Sequence, residues 1–205
     1  MGSRDNSHRR NRKQELKKKT IPPLGMIAVG VGIILIGVAA LFMLPKDGAS
    51  ANSSGVPDEY SSVPASVEYD APELTLPNLA GEEESLSDYE GQIVLVNLWA
   101  TWCPPCKEEL PVLQQYYEDH EDDGFVILGI DDGESEETVS NFLKSSNLTY
   151  PIWLDEIGES ELAFNTYSLP SSYVIDRDGT VRLAWTGAIS LTMLEKHVTP
   201  IIRNE

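Results

Sequence analysis

Trp99-Ala-Thr-Trp-Cys-Pro-Pro-Cys-Lys-Glu-Glu-Leu-Pro111 is the stretch that decides how the rest of this chain reads. An apolar run, Ile93-Val-Leu-Val-Asn-Leu98, leads into it, and a helical pattern of apolar and polar residues leads out. Cys103 and Cys106 are the only cysteines among the 205 residues. Two cysteines three apart at the start of a helix can close a small disulfide ring. The first sits where unsatisfied backbone N–H groups and the positive end of the helix dipole favour a thiolate. Such a thiolate attacks other disulfides, and the second cysteine is placed to resolve the mixed disulfide that results. The pair therefore reads as a centre of thiol-disulfide exchange.

Two plainer readings compete with it. Structural zinc takes four ligands, and this chain has no second cysteine pair, while His8, His120 and His197 stand far apart in the sequence. No metal is expected on that count. A purely structural disulfide is the other reading, but a ring this small restrains the unfolded chain little.

The prolines modify the chemistry. Cys103 is expected to cap the helix, with Pro104 and Pro105 in its first turn, where their missing N–H groups have no intrahelical partner anyway. Two donors that would have pointed at the Cys103 sulfur are thereby absent, which leaves chiefly the Cys106 N–H. A less acidic thiol follows, and with it a less oxidising disulfide than in strongly oxidising pairs.

With Val94-Leu-Val-Asn-Leu98 before it and Leu169-Pro-Ser-Ser-Tyr-Val-Ile-Asp176 far downstream, the stretch resembles the thioredoxin superfamily. More narrowly, it is similar to the membrane-anchored TlpA/ResA-like proteins, over roughly Ala71 to the C-terminus. The resemblance implies an α/β thioredoxin fold with an N-terminal hairpin and a central βα insertion. It also implies four catalytic positions: Cys103, Cys106, Glu109 and Pro170. A glutamate at the place of Glu109 tunes the thiols in that family, which implies proton exchange with Cys106. The residues alone leave open a solvated first-turn carboxylate helped by the helix dipole. Pro170 is implied to be a cis-proline facing the cysteines, with the Leu169 backbone open to a substrate strand; a trans-proline ending a loop is the alternative. Trp102, Pro104 and Leu169 are the candidate client contacts. Asn97 stands where thioredoxin has a titrating buried carboxylate, so proton handling must come from elsewhere.

Charge divides the chain sharply. The net charge is −18, yet residues 1–23 hold eight Lys/Arg against Asp5 and Glu15, leaving 7 basic and 31 acidic residues in the remainder. A body this acidic repels nucleic acid and anionic lipid, which excludes a nucleic-acid partner. Residues 1–23 read as a basic, disordered cytoplasmic tail. Residues 24–44 contain no charged side chain and at about 1.5 Å per residue are long enough to cross a hydrocarbon layer ~30 Å thick. The positive-inside rule then places the N-terminus in the cytoplasm and the rest outside, as a single-pass protein of the cell membrane. A cleaved signal peptide, ending near Ala49-Ser-Ala51, is the competing reading. Residues 45–70, rich in Ser, Ala, Gly and Pro, read as a flexible extracytoplasmic linker with a reach of about 25–30 Å. Residues 71–205 then form the thioredoxin-like domain.

Within the domain, Pro72 to Pro77 reads as a short edge strand, Ile93 to Trp99 as a central strand buried on both faces, and Gly124 to Asp131 as its parallel neighbour. A helix is expected over Ser135 to Ser145, a strand over Tyr150 to Leu154 and a helix over Ser160 to Tyr167. Strands over Ser172 to Asp176 and Thr180 to Trp185 flank a turn, and one helix from Leu191 to about Ile202 closes the chain. Asp131 and Asp132 read as part of a solvated acidic loop. No phosphate loop, haem-attachment pair, Ser/His/Asp set or internal repeat is present, and no cofactor is expected.

The function that these features imply is protein-disulfide reduction outside the membrane. By resemblance, the client is an exported protein such as apocytochrome c before haem attachment, and a CcdA/DsbD-like membrane thiol carrier supplies the electrons. Two alternatives stay open: a general reductase or oxidase of exported proteins, and a redox-inert or redox-sensing binding module using the Leu169 edge.

Overall fold

The computed structural model describes residues 55–204; the expected tail, the span 24–44 and the first part of the linker lie outside the described residues. Among the described residues no helix is long and apolar enough to cross a membrane.

The fold is built on β4 (Ile93–Trp99), whose seven residues are all buried. Alternation along this strand supplies two cores at once. Ile93, Leu95 and Trp99 pack with Leu110, Leu113 and Tyr116 of α1 (Pro104–His120) and with Leu194, Val198 and Ile202 near the C-terminus. Val94, Val96 and Leu98 face the other way, against Leu74, Leu76, Trp153 and Phe164. A strand with helices or a hairpin over each face has no solvent side, which is why its sequence is continuous rather than alternating.

From β4 the sheet extends in two directions. On one side β5 (Phe125–Asp132) and β6 (Ile152–Asp155) add parallel, with α2 (Glu136–Leu143) between them in sequence. On the other side β7 (Ser171–Ile175), β8 (Thr180–Thr186) and β1 (Ala65–Asp70) add antiparallel, so the order is β1-β8-β7-β4-β5-β6. A separate hairpin of β2 (Thr75–Pro77) and β3 (Glu83–Ser85) covers the second core. Helix α3 (Glu159–Ala163) leads from β6 towards β7, and α4 (Leu191–His197) and α5 (Thr199–Asn204) close the chain. This is the thioredoxin-like α/β arrangement with its N-terminal hairpin.

Three expectations need correction. Folded structure begins before Ala71: a short 3-10 turn at Asp58–Tyr60 precedes β1, which forms the sheet edge against β8. Five of the six β1 residues are exposed, so the strand has no apolar period to betray it and is held by backbone pairing with β8. The closing helix is two helices, broken around Val198 just ahead of Pro200. The two aspartates expected in a solvated acidic loop are instead the last two residues of β5: Asp131 is wholly buried, level with Trp99, and Asp132 is half-buried and paired with Asp155 of β6.

Candidate active site

The parallel strand β4 ends at Trp99, and the chain turns through Ala100-Thr-Trp102 to enter α1 at Cys103. Glu134, from the loop after β5, holds this turn: it accepts the Thr101 N–H at 2.5 Å and the Thr101 hydroxyl at 2.7 Å. Cys103 is the N-cap residue of α1, extended in backbone, with Pro104 and Pro105 following as the sequence requires. Cys103 and Cys106 form a disulfide. The Cys106 N–H donates to the Cys103 sulfur at 3.3 Å, the one donor that the two prolines leave in place. Cys106 is wholly buried and Cys103 keeps 3% of its surface, so a client reaches the pair only through Cys103. Trp102, with 64% of its surface exposed, and Pro104 border that opening.

Glu109 lies almost one turn beyond Cys106 on the face of α1 that also carries Leu110 and Leu113, and it is wholly buried. The solvated alternative is thereby excluded; Glu108, one residue back, is the exposed one. Asn97 points from β4 toward the same helix, and its amide N–H donates to Glu109 Oε1 at 2.7 Å and to Ser172 Oγ at 3.0 Å. The Ile189 backbone N–H donates to Glu109 Oε2 at 3.0 Å. Burial nonetheless dominates and pushes the carboxyl up to about 8, against the two hydrogen bonds that favour its ionised form. The non-titrating Asn97 thus contributes an orienting donor, and the titrating group of this core is Glu109. Tyr150, also buried, feels the Glu109 charge, and its phenol is raised by burial first and that charge second.

The Leu169-Pro170 peptide is cis, as the resemblance implies. Pro170 directly precedes β7, whose Ser171 pairs with Leu98 of β4, so the proline and the turn into Cys103 lie at the same end of adjacent strands. The Pro170 carbonyl accepts the Gly187 N–H at 2.8 Å, and Leu169 is half-buried.

Sequence reasoning missed several groups of this region. The Ile189 donor comes from a loop eighty residues from Glu109 with no side-chain signature. Glu134 was one acid among many. Asp131, beside Glu134, is raised to about 8 by burial first and by the Glu134 charge second. Its burial had one legible sign, its position at the end of the apolar run from Phe125 to Ile130.

Comparison with known proteins agrees with this geometry. The family model described as AhpC/TSA family matches residues 67–184. Thiol-disulfide oxidoreductase ResA of Geobacillus kaustophilus (strain HTA426) is 36% identical over 131 residues, 64% of this chain and 75% of the relative. The protein of the same name from Bacillus subtilis (strain 168) is 33% identical over 132 residues, 64% of this chain and 74% of its own. Among solved structures, a thiol:disulfide interchange protein of the thioredoxin family from Chlorobium tepidum TLS superposes with a TM-score of 0.60 at 28% identity, covering 67% of this chain and 99% of that one. StoA from Bacillus subtilis gives 0.54 at 27% identity, covering 62% and 96%. The chain belongs to the AhpC/TSA family and is a thiol-disulfide oxidoreductase.

Proposed function

We propose that this oxidoreductase works as a protein-disulfide reductase, anchored by residues 24–44 in the cell membrane with its catalytic domain outside. Apocytochrome c, before haem attachment, is the client class, and a CcdA/DsbD-like membrane thiol carrier is the electron donor. The observation that carries the reductive direction is the single Cys106 N–H on the Cys103 sulfur, since a thiolate with few donors is poorly stabilised and its disulfide is weakly oxidising. The likeness to ResA proteins and the basic leader before an uncharged run support the rest.

In the reduced protein the Cys103 thiolate attacks a client disulfide. One client sulfur leaves as thiolate and takes a proton from solvent, and a Cys103 mixed disulfide remains. The Cys106 thiol gives its proton to the Glu109 carboxylate and attacks the Cys103 sulfur. That step releases the second client thiolate, which recovers a proton, and closes the Cys103–Cys106 disulfide. Two electrons have then passed to the client, and the membrane dithiol carrier returns them. From its place just ahead of β7, beside the turn into Cys103, Pro170 is assigned to face the sulfurs, with Trp102, Pro104 and the Leu169 backbone assigned to contact the client segment.

Replacing Cys106 by Ser blocks resolution and tests the reading in membranes. Covalent Cys103 adducts with apocytochromes c are the expected result. Adducts spread over many exported proteins replace this client class with a general one, and no adducts at all overturn the enzymatic role. A reduction potential near the ~−120 mV of a strong oxidant overturns the reductive direction.

A further inference from the structure

The residues ahead of β1 run back along the loop that serves Glu109. The Ser62 N–H donates to the Ala188 carbonyl at 2.9 Å, and the Ser62 hydroxyl donates to the Thr186 carbonyl at 2.7 Å. The Ser190 N–H donates to the Ser61 hydroxyl at 2.8 Å. Two consecutive serines therefore fasten both sides of the turn Gly187-Ala-Ile189, and Ile189 gives its N–H to Glu109 Oε2. Gly187 makes the close approach feasible: a Cβ there would lie 2.5 Å from Ser62 Oγ, and its φ of +99° disfavours any side chain. The far end of the segment is pinned as well. Val56 is buried, a Cβ on Gly55 would meet Val112 of α1 at 2.6 Å, and the Thr192 hydroxyl of α4 donates to Asp58 at 3.0 Å.

We propose that the strap Gly55–Ser62 is a positioning element of the redox site: Ser61 and Ser62 hold the turn so that the Ile189 N–H stays aimed at Glu109, which sets how readily Glu109 takes the Cys106 proton. The last step rests on the reading of Glu109 as the proton partner of Cys106. A backbone donor stabilises the ionised carboxylate, so a loosened turn leaves Glu109 holding its proton more tightly. The other groups around Glu109 are the Asn97 amide on β4, Tyr150 ahead of β6 and Cys106 on its own helix. Of these, Tyr150 stays neutral around pH 8 because its phenol is raised, and Cys106 does not titrate while the disulfide is closed.

The oxidised full-length chain in phospholipid nanodiscs, labelled with 15N at isoleucine, isolates the effect. The Ile189 amide should titrate with a single midpoint near the Glu109 value of about 8 and lose that titration in Glu109→Gln. In Ser61→Ala/Ser62→Ala the midpoint should rise by about half a unit to one unit, and restoring the hydroxyl as Ser61→Thr/Ser62→Ala should bring it part of the way back. An unshifted midpoint in the double Ala variant overturns the proposal, even if the melting temperature falls, because that pattern is support of the fold alone. So does an Ile189 titration that survives Glu109→Gln. The pH dependence of Cys106 attack in the reduced protein is a separate readout. If Glu109→Gln leaves it unchanged while the Ile189 shift is present, the proton-partner reading fails and the hold of the strap on the carboxyl stands.

Discussion

At the scale of single residues, Glu109 is the side chain whose environment does most. A carboxyl pushed up to about 8 exchanges its proton close to the ordinary range of a thiol, so it matches Cys106 far better than a solvated glutamate does. Glu109→Gln keeps the shape and the contact with Asn97 but cannot accept a proton. Stopped-flow measurement of mixed-disulfide resolution near pH 8 should then show a rate lower by about a hundredfold, the low end for general acid-base catalysis, and loss of the pH step assigned to this group. Unchanged kinetics would remove Glu109 from the reaction. The location of Glu109 was partly legible: Cys106, Leu110 and Leu113 mark one helical stripe, and Glu109 falls inside it. Its partners were not, because a backbone N–H carries no residue identity.

At the scale of elements, β5 shows how tightly the layer behind the site is packed. Gly129 sits opposite Asn97 of β4, and the rings of Trp99 and Tyr150 and the Ile152 side chain close over it. A Cβ there would lie 2.8 Å from Ile152 Cδ1 and 3.0 Å from Tyr150 Cε2, both within a filled core. Gly129→Ala should lower stability by about 1–3 kcal/mol, the range for overpacking, read from the midpoint of denaturant unfolding. A change within error would mean that the aromatic cluster yields without cost. The long core strands and α1 were legible because buried strands are continuous in apolar residues and capped helices announce their starts. Strand β1 was not, since an exposed edge strand has the composition of a linker.

At the scale of the whole molecule, buried acids set the response to pH. Glu109 and Asp131 are raised to about 8 and Asp132 to about 6, each chiefly by burial. Their unfolded values lie near 4, so between those limits the folded state binds more protons than the unfolded one. The stability they contribute is complete below about pH 4 and is lost as pH rises through about 8. The fall between about pH 6 and about 8 is the part assigned to Glu109 and Asp131, whose raised values close that window. Denaturant midpoints across that window should decline with pH, and Glu109→Gln and Asp131→Asn should each flatten the decline. A slope untouched by both variants would mean that these acids are ionised and solvated in the folded protein.

Local sequence determined the disulfide pair, its place at a helix start, the loss of donors to the two prolines and the central strand. Each of those depends on residues within a turn or two of one another, where spacing and propensity act directly. Tertiary structure alone decided that Glu109 is buried between Asn97 and Ile189, that Asp131 lies beside Glu134, and that the serines ahead of β1 brace the turn behind the site. These contacts join residues far apart in the chain, and the low dielectric that shifts their acids exists only once the sheet and helices have closed around them.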